Sequence, residues 1–522
     1  MSNSRNWEPP TALSKKEQFI CKKLKQTGKL FVFLRTNRHL IINEEINHKL
    51  MSMYADHPRG KPAVPAALLA MATILQAYEQ KSDAGATLEA MFDQRWQMVL
   101  DCLGSEESPF SQGTLCDFRH RLIAHDMDVV LLEHTVNVAR EVGGFSHVQL
   151  RVALDSAPLQ GAGRVEDTFN LVGHALELVV NCAAQIKMIS EEELIEECGL
   201  KLVGKSSVKA ALDIDWSDKN EKHQAVETLQ NDVDALKQWL EKQPSAFIKH
   251  KGLEESLALL AKVLEQNIDP DPDGNGPKVK EGSVPDRQIS ISDSTMRHGR
   301  KSSSRTISGF KQHIAVDLDN KLILATCVRP ANEPEYKASE YLKPKVNAYG
   351  EVKQIQIDRG YLAAHWTTEL YEAGKEVVAK PWTPPSKSAL SKNAFQIDLV
   401  EGSVMCPAGK VAMIKSGKVM QARFKSTECN ACLKKADCTT SEKGRKIKIH
   451  EQEAMLQKLQ KYVSTSQGRA DARERVKVEH SLASICNRKG PRARYRGLRL
   501  NEYDLNRTAA ITNLHIAMSL AA

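Results

Sequence analysis

HVQLRVALDSA, residues 147–157, is the stretch on which the fold turns. Val148, Leu150, Val152 and Leu154 occupy every second position, the period of a strand with one buried face, and the run closes on Asp155. Two further strand-like runs lie far downstream, GFKQHIAVD (309–317) and KLILATCV (321–328), with Leu318, Asp319 and Asn320 between them as a hairpin turn. VKQIQID (352–358) ends on Asp358, and EVVAKP (376–381) gives one more strand. Three strands, a helix, a strand, a helix, a strand and a final helix predict a mixed α/β layer.

Helical sequence surrounds and interrupts this layer. Residues 14–145 read as helices, opened by a capping box in which Glu17 follows Ser14 by three. Pro65 precedes the buried-helix pattern AALLAMATILQAYEQ, and Ser111 is placed to cap a helix with Leu115, Phe118 and Leu122 on one face. Val226, Leu229, Val233, Leu236 and Leu240, then Leu253, Leu257, Leu260 and Leu264, step by threes and fours and predict an antiparallel helical hairpin. DPDPDGNGPKVKEG (269–282) reads as a flexible linker. Residues 445–520 are helical again.

The chain has 522 residues, 41% hydrophobic and 26% charged, which excludes wholesale disorder and collagen-like repetition. That length predicts two to four domains at ~100–200 residues each. Aromatics are only 5%, so base stacking is not the main binding mode expected. The longest apolar run, Val64 to Ala72, is too short to span ~30 Å of hydrocarbon, and MSNSRNWEPP has no signal-peptide character, so an intracellular protein without membrane contact is expected. The net charge is +8, and the window from Arg469 to Arg499 alone holds ten basic against three acidic residues. Such a cluster suits contacts to phosphates.

Three acids stand out. Asp155 and Asp358 close strands, and Glu479 lies in RERVKVEHSLASI, where Val476, Leu482 and Ile485 have helical spacing. Carboxylates so placed can converge to hold Mg²⁺, a hard cation that takes oxygen ligands. Asp293, in ISDSTMRHGRKS, is the alternative to Asp155. Cys406, Cys429, Cys432 and Cys438 supply four thiols with one C-x-x-C pair, a set that suits a closed tetrahedral zinc site, and nearby Arg423, Lys425, Lys434 and Lys435 are expected to lower their pKa values. Gly199-x4-Gly204-Lys205-Ser206 fits the P-loop expression, but the acidic, helix-forming SEEELIEEC precedes it where a strand is required. His120, His298, His313 and His480 read as hydrogen-bonded or surface residues, His480 on a different helix face from Glu479.

RVALDSAPLQGAG, SGFKQHIAVDLDNKLILATCVRPANEPEY, QIQIDRGYL and RERVKVEHSLASICNRKGPRARYRGL together resemble the DDE transposases of bacterial insertion sequences, in particular the group numbered eleven-eighty-two within the wider four and five assemblage. The resemblance covers most of the chain in order. It implies an α/β RNase H-like catalytic core with a mixed five-stranded sheet, a helical N-terminal domain, a large helical insertion and a small Cys-rich zinc-binding insertion. The corresponding division is 1–145 for the DNA-binding helices, 146–163 and 286–384 for the core, 164–285 for the helical insertion, 385–445 for the Cys-rich insertion and 446–522 for the C-terminal helices.

By the same resemblance Asp155, Asp358 and Glu479 are the catalytic acids, holding two Mg²⁺ for which Mn²⁺ would substitute. The implied activity is metal-dependent cleavage at transposon ends and strand transfer into target DNA. A nuclease of the same fold and an inactive, domesticated DNA-binding protein are the alternatives. Arg475 stands at the Arg of the family's Tyr-x2-Arg-x3-Glu-x6-Lys signature, while Ala472 and Cys486 replace its Tyr and Lys. Arg475, Arg488, Lys489, Arg492, Arg494 and Arg496 are expected on DNA phosphates. The implied partners are the terminal inverted repeats and target DNA as duplexes, and a second copy of the chain. The implied location is the bacterial cytoplasm, at the nucleoid.

Overall fold

The computed structural model describes residues 7–521 apart from 26–27, 55–62, 147–148, 271–273, 275, 283, 302–303, 382–389 and 418. Val148 and part of the 269–282 linker therefore lie outside the described residues.

Among the described residues the chain is helical up to Gly143. Helix α1 (Lys15–Lys23) opens with the capping box: the Ser14 N–H donates to Glu17 Oε2 at 2.7 Å and the Glu17 N–H to Ser14 Oγ at 3.3 Å. Helix α2 (Ala66–Glu79) is buried nearly all round, as its run of Ala, Leu and Met requires. Ser111 caps α3 (Gln112–Ala124), which buries Leu115, Phe118 and Leu122, and α4 (Met127–Gly143) follows. These helices have no core of their own. Phe31, Leu69, Trp96 and Val136 belong to one continuous apolar cluster with Leu150, Val152, Leu324 and Ile355 of the sheet.

Strand β1 (Gln149–Gln160) is longer than its alternation suggested, and Asp155 lies within it rather than at its end. Ala157 and Leu159 are buried on the opposite face from Leu150, Val152 and Leu154, where they join Ala153 in a second apolar cluster with Phe310 and Val478. After β1 the chain leaves the sheet for α5 (Thr168–Lys187), α6 (Lys219–Glu241) and α7 (Lys251–Asn267). The expected α6–α7 hairpin is not the packing found: α7 lies chiefly along α5, which supplies Leu176, Val179 and Val180 to a separate core with Leu229, Leu236 and Leu260. By length and composition α5 could cross a membrane, but most of it is buried in this core. The segment read as a linker contains a short ribbon, Ile268–Asp269 paired with Lys278–Val279. Gly199 ends the helix Glu191–Cys198 in a left-handed cap, so a helix and not a strand precedes the P-loop-like residues.

The chain re-enters the sheet at β2 (Arg297–Arg300), β3 (Thr306–Asp317) and β4 (Ile323–Pro330). The turn between β3 and β4 is held by Asp317, whose carboxylate accepts from the N–H groups of Asp319 and Asn320, each at 3.1 Å. Helix α8 (Glu335–Asn347), β5 (Glu351–Ile357) and β6 (Glu376–Ala379) complete the layer. Among the described residues the sheet has six strands, not five. Its order is β2-β3-β1-β5-β6, with β4 also on β3, because β2 and β4 pair end to end along the same edge of β3. β3 runs antiparallel to β1, while β1, β5 and β6 are mutually parallel.

A second sheet occupies the Cys-containing segment, where only cysteines had been legible. It is an antiparallel meander of β7 (Gln396–Asp398), β8 (Ser403–Met405), β9 (Val411–Lys415), β10 (Gln421–Arg423) and β11 (Lys446–Lys448), with its own small core. Helices α9 (Val476–Lys489) and α10 (Leu498–Leu520) then return to the large sheet. α10 packs on α4 and β4, and Asn513 stitches it to Ile323 through both the backbone N–H (2.8 Å) and the carbonyl (3.0 Å).

Candidate active site

The cleft begins where two parallel strands part. β1 pairs with β5 only as far as Ala153–Gln356, whereas its pairing with β3 continues to Gln160–Gly309. Between Ala153 and Gln160, where Pro491 and Ala493 take up the pairing again, one edge of β1 is therefore open, which is how a central strand tolerates Pro158. Asp155 sits on this open segment, and Asp358 is the first residue past β5. Glu479, in the first turn of α9, faces them from the helical layer, and all three line one cleft with Arg475.

The Asp155 side chain is 16% exposed and that of Glu479 51%. Burial raises the Asp155 pKa; the Arg475 guanidinium and the Ser156 N–H, which donates to Oδ1 at 2.8 Å, oppose the rise, while Glu479 and Asp358 add to it. Asp358 is exposed and caps its own turn, Oδ1 accepting from the Arg359 N–H at 2.7 Å. Arg475 is the joint between the helix Ser466–Glu474 and α9. It bridges two acids, at 3.0 Å from Asp155 Oδ1 and 3.3 Å from Glu479 Oε1. Its guanidinium occupies the space a cation would share with those oxygens. Among the described residues only Glu79, Glu89 and Asp93 bring three ligand atoms within 4.8 Å of one another, and Lys81 and Arg95 already pair with those acids.

Four residues of the cleft were missed from the sequence. Glu335, in the first turn of α8, is a fourth carboxylate: its Oε1 accepts from Ser156 Oγ at 2.6 Å. Lys301 and Lys311 line the wall where a lysine would otherwise have come from position 486, which is Cys486 here, accepting from Gln312 Nε2 at 3.2 Å. Gly360 is the space for Glu335, since an added Cβ would fall 2.0 Å from Glu335 Oε2. The signal was an acid opening the helix after a hairpin, in the NEPEY run, with a glycine two residues past Asp358. Beneath the cleft, fully buried Tyr361 and His313 share a hydrogen bond of 2.7 Å, and burial pushes His313 down to about 3.

Asp293, the alternative first acid, is elsewhere. Its carboxylate is 4% exposed and accepts from Thr295 and from the Gly497 N–H at 2.9 Å, an anchor for the turn before α10. The basic window is also partly spent internally. Lys489 was expected on phosphate, but its side chain is 2% exposed, 3.2 Å from buried Asp504. Arg488 turns inward, donating to the Tyr78 carbonyl and stacking on its ring. Arg499 pairs with Asp126 and Asp128. Arg492, Arg494 and Arg496 are exposed. His480 lines a separate groove with Tyr78 and Asn487, about 100° round the helix from Glu479.

The four cysteines Cys406, Cys429, Cys432 and Cys438 line one small cavity against Phe395 and Phe424. Backbone N–H groups point at two sulfurs, Lys410 to Cys406 at 3.3 Å and Arg445 to Cys429 at 3.4 Å, donors that suit thiolate ligands. The thiol of Cys438 is raised by burial, against the expectation that neighbouring cations would lower it; Arg445 only partly opposes the rise.

A sheet of antiparallel and parallel strands in this order, with acids on its first strand, just beyond its fifth and on a C-terminal helix, is an RNase H-like arrangement. Residues 405–516 match the family described as "Transposase DDE domain", and residues 20–121 match a family described as "Transposase domain". These two transposase domains, one of them a DDE domain, give the chain the function of a DNA transposase. No curated protein and no solved structure matches it.

Proposed function

We propose that this transposase cleaves DNA at the ends of its element and joins them to target DNA, with Asp155, Asp358 and Glu479 as the acids of one metal-dependent site. The observation that carries the reading is the convergence of these three carboxylates, from β1, the end of β5 and α9, on one cleft where β1 and β5 part. All donors are carboxylate oxygens, the chemistry Mg²⁺ prefers, with Mn²⁺ a substitute. When bound, a pair of such ions supplies charge stabilisation to the attacking and leaving oxygens of an in-line displacement.

The residues do the rest. Arg475 pairs with both Asp155 and Glu479, and it would swing away for their oxygens to close on a shared centre. Released, its guanidinium is placed to contact a DNA phosphate. Lys301 and Lys311 face the same space and fix the scissile phosphate from the β3 side. Glu335 orients Ser156, and with it the backbone beside Asp155. Arg492, Arg494 and Arg496 extend phosphate contacts along the flank. Cys406, Cys429, Cys432 and Cys438 hold a structural Zn²⁺. The N-terminal helices recognise the terminal repeats, and two copies of the chain act together because two DNA ends are joined.

The test is labelled duplex carrying the element's ends, incubated with and without Mg²⁺. Cleavage and joining should require the cation and disappear in Asp155→Asn, Asp358→Asn and Glu479→Gln, each retaining DNA binding, and survive in Asp293→Asn if that variant folds. Retained cleavage in any of the three acid variants would remove that acid from the site.

A further inference from the structure

The small Cys-containing sheet presents two unlike faces. Val404, Ala412, Ala422 and Ile447 point inward, towards Phe395, Phe424 and the cysteines. The alternate residues point outward. On the three strands β9, β10 and β11 these include Lys415, Arg423, Lys446 and Lys448, all exposed. The register places them as a compact grid: Lys415 opposite Gln421, Gln421 opposite Lys448, and Arg423 opposite Lys446. Residues directly opposite on a sheet face stand ~4.5–5.5 Å apart at Cβ, and like charges in that position repel. None of the four has an ion-pair or side-chain hydrogen-bond partner among the described residues.

Folding does not account for this arrangement. Lysines on an edge strand guard against unwanted strand pairing, which would explain Lys446 and Lys448 on β11. It does not explain Arg423, directly opposite Lys446, or Lys415, separated from Lys448 by Gln421 alone, both on interior strands where a threonine or a glutamate would relieve the accumulated charge. The wider segment is equally one-sided: residues 391–450 carry twelve Lys and Arg against five Asp and Glu. Beside the grid, Met405, Val411 and Met413 are exposed on the same face. A flat cationic grid with uncompensated repulsion is stabilised by a polyanion that brings phosphates at close spacing.

We infer that the outward face of β9–β11 is a second DNA-binding surface, independent of the catalytic cleft and of the 469–499 window, which holds the phosphate backbone of a DNA duplex through Lys415, Arg423, Lys446 and Lys448. This rests on the chain acting on DNA and extends it to a module whose cysteines explain its fold but not its charge. Recognition is of backbone and not of sequence, since the side chains are cations on a flat sheet with no element shaped to enter a groove.

The experiment uses the full chain and a duplex of arbitrary sequence, without Mg²⁺ so that no strand is cut, with affinity measured as salt rises from about 50 to 200 mM. Each phosphate contact contributes ~0.9 to the slope of log affinity against log salt, so the combined variant Lys415→Gln, Arg423→Gln, Lys446→Gln, Lys448→Gln should lower the slope by about 3 to 4. Over that fourfold range the variant should lose about a hundredfold less affinity than the wild type. The matching variant Lys415→Arg, Lys446→Arg, Lys448→Arg should keep the slope, which separates loss of charge from loss of fold. A slope unchanged in the neutral variant overturns the inference and leaves the cleavage chemistry, read in the separate Mg²⁺ assay, standing. A face that instead joins two copies would show as a change in oligomeric state on Val411→Ser, Met413→Ser with the salt slope unaffected, and that too overturns it.

Discussion

Gly360→Ala probes the cleft through a single added methyl group. Gly360 is not in the left-handed region, so alanine meets no backbone penalty there. What it meets is Glu335: the new Cβ would stand 2.0 Å from Oε2, 3.0 Å from Cδ and 3.1 Å from Cβ. Ordinary contact begins near 3.4 Å, so the carboxylate must withdraw by about 1.4 Å. That movement breaks the 2.6 Å hydrogen bond from Ser156 Oγ. A hydrogen bond to a charged group contributes about 1.5–3 kcal/mol, and half-exposure of both partners brings the expected cost to about 1–2 kcal/mol. The measurement is a double-mutant cycle in denaturant unfolding, with Gly360→Ala made in the wild type and in Glu335→Ala. The cost should fall to a few tenths of a kcal/mol in the second background, leaving a coupling energy of about 1 kcal/mol or more. Cleavage should drop in Gly360→Ala alone even where the fold is intact. Equal costs in both backgrounds, or wild-type cleavage by Gly360→Ala, would refute the idea that this glycine exists to seat Glu335.

Glu335→Gln keeps shape and hydrogen bonding while removing charge, so it should leave the unfolding midpoint in place and lower the cleavage rate; unchanged cleavage would reduce Glu335 to a packing role. Lys489→Met should destabilise by about 1–3 kcal/mol, since Asp504 keeps only Arg507, and leave the salt slope of DNA binding unchanged. A slope lowered by ~0.9 with stability intact would place Lys489 on phosphate after all. His313 is held neutral by burial, with its pKa pushed down to about 3 from 6.5. The unfolded chain therefore takes up a proton that the native state refuses, so this contribution to stability is complete above pH ~6.5 and declines as pH falls, by about 2 kcal/mol at pH 5. His313→Gln should flatten that decline between pH 7 and 5, and an unaltered pH profile would count against the assignment. Cys438→Ser should abolish zinc recovered with the purified chain and make residues 390–450 susceptible to protease; full retention of metal would exclude Cys438 as a ligand.

Much of the architecture was legible because period-two and period-3.6 patterns report burial directly. The capping box at Ser14, the cap at Ser111, and the strands at 309–317 and 352–357 all follow from local sequence. Long-range pairing was not legible. Nothing within residues 147–157 announces that β3 continues as a partner to Gln160, so Asp155 read as a strand end although it lies mid-strand. Heptad-like steps in α6 and α7 show which faces are apolar but not that α5 is the surface they share. Lys489 and Arg488 counted as surface charge because the sequence does not show Asp504 or the Tyr78 carbonyl beside them. Glu335 and Gly360 were overlooked for the same reason: their roles are defined only by each other and by Ser156, each from a different element. The short strands β7–β11 carry three to five residues apiece, too few for alternation to stand out.

The apolar cluster that runs unbroken from the N-terminal helices into the large sheet has an evolutionary consequence. Phe31, Trp96 and Val136 share a core with Leu150, Val152 and Ile355, and Arg499–Asp128 and Arg507–Gln76 tie the N-terminal helices to α10 from the polar side. The segment that would read the element's ends cannot be exchanged for another without exposing the underside of the chemistry. The helical insertion and the Cys-containing sheet, each closed around its own core, are free of that constraint. Lineages of this architecture should therefore diversify by gaining, losing or replacing those two inserts, while the N-terminal helices and the large sheet are inherited as one piece.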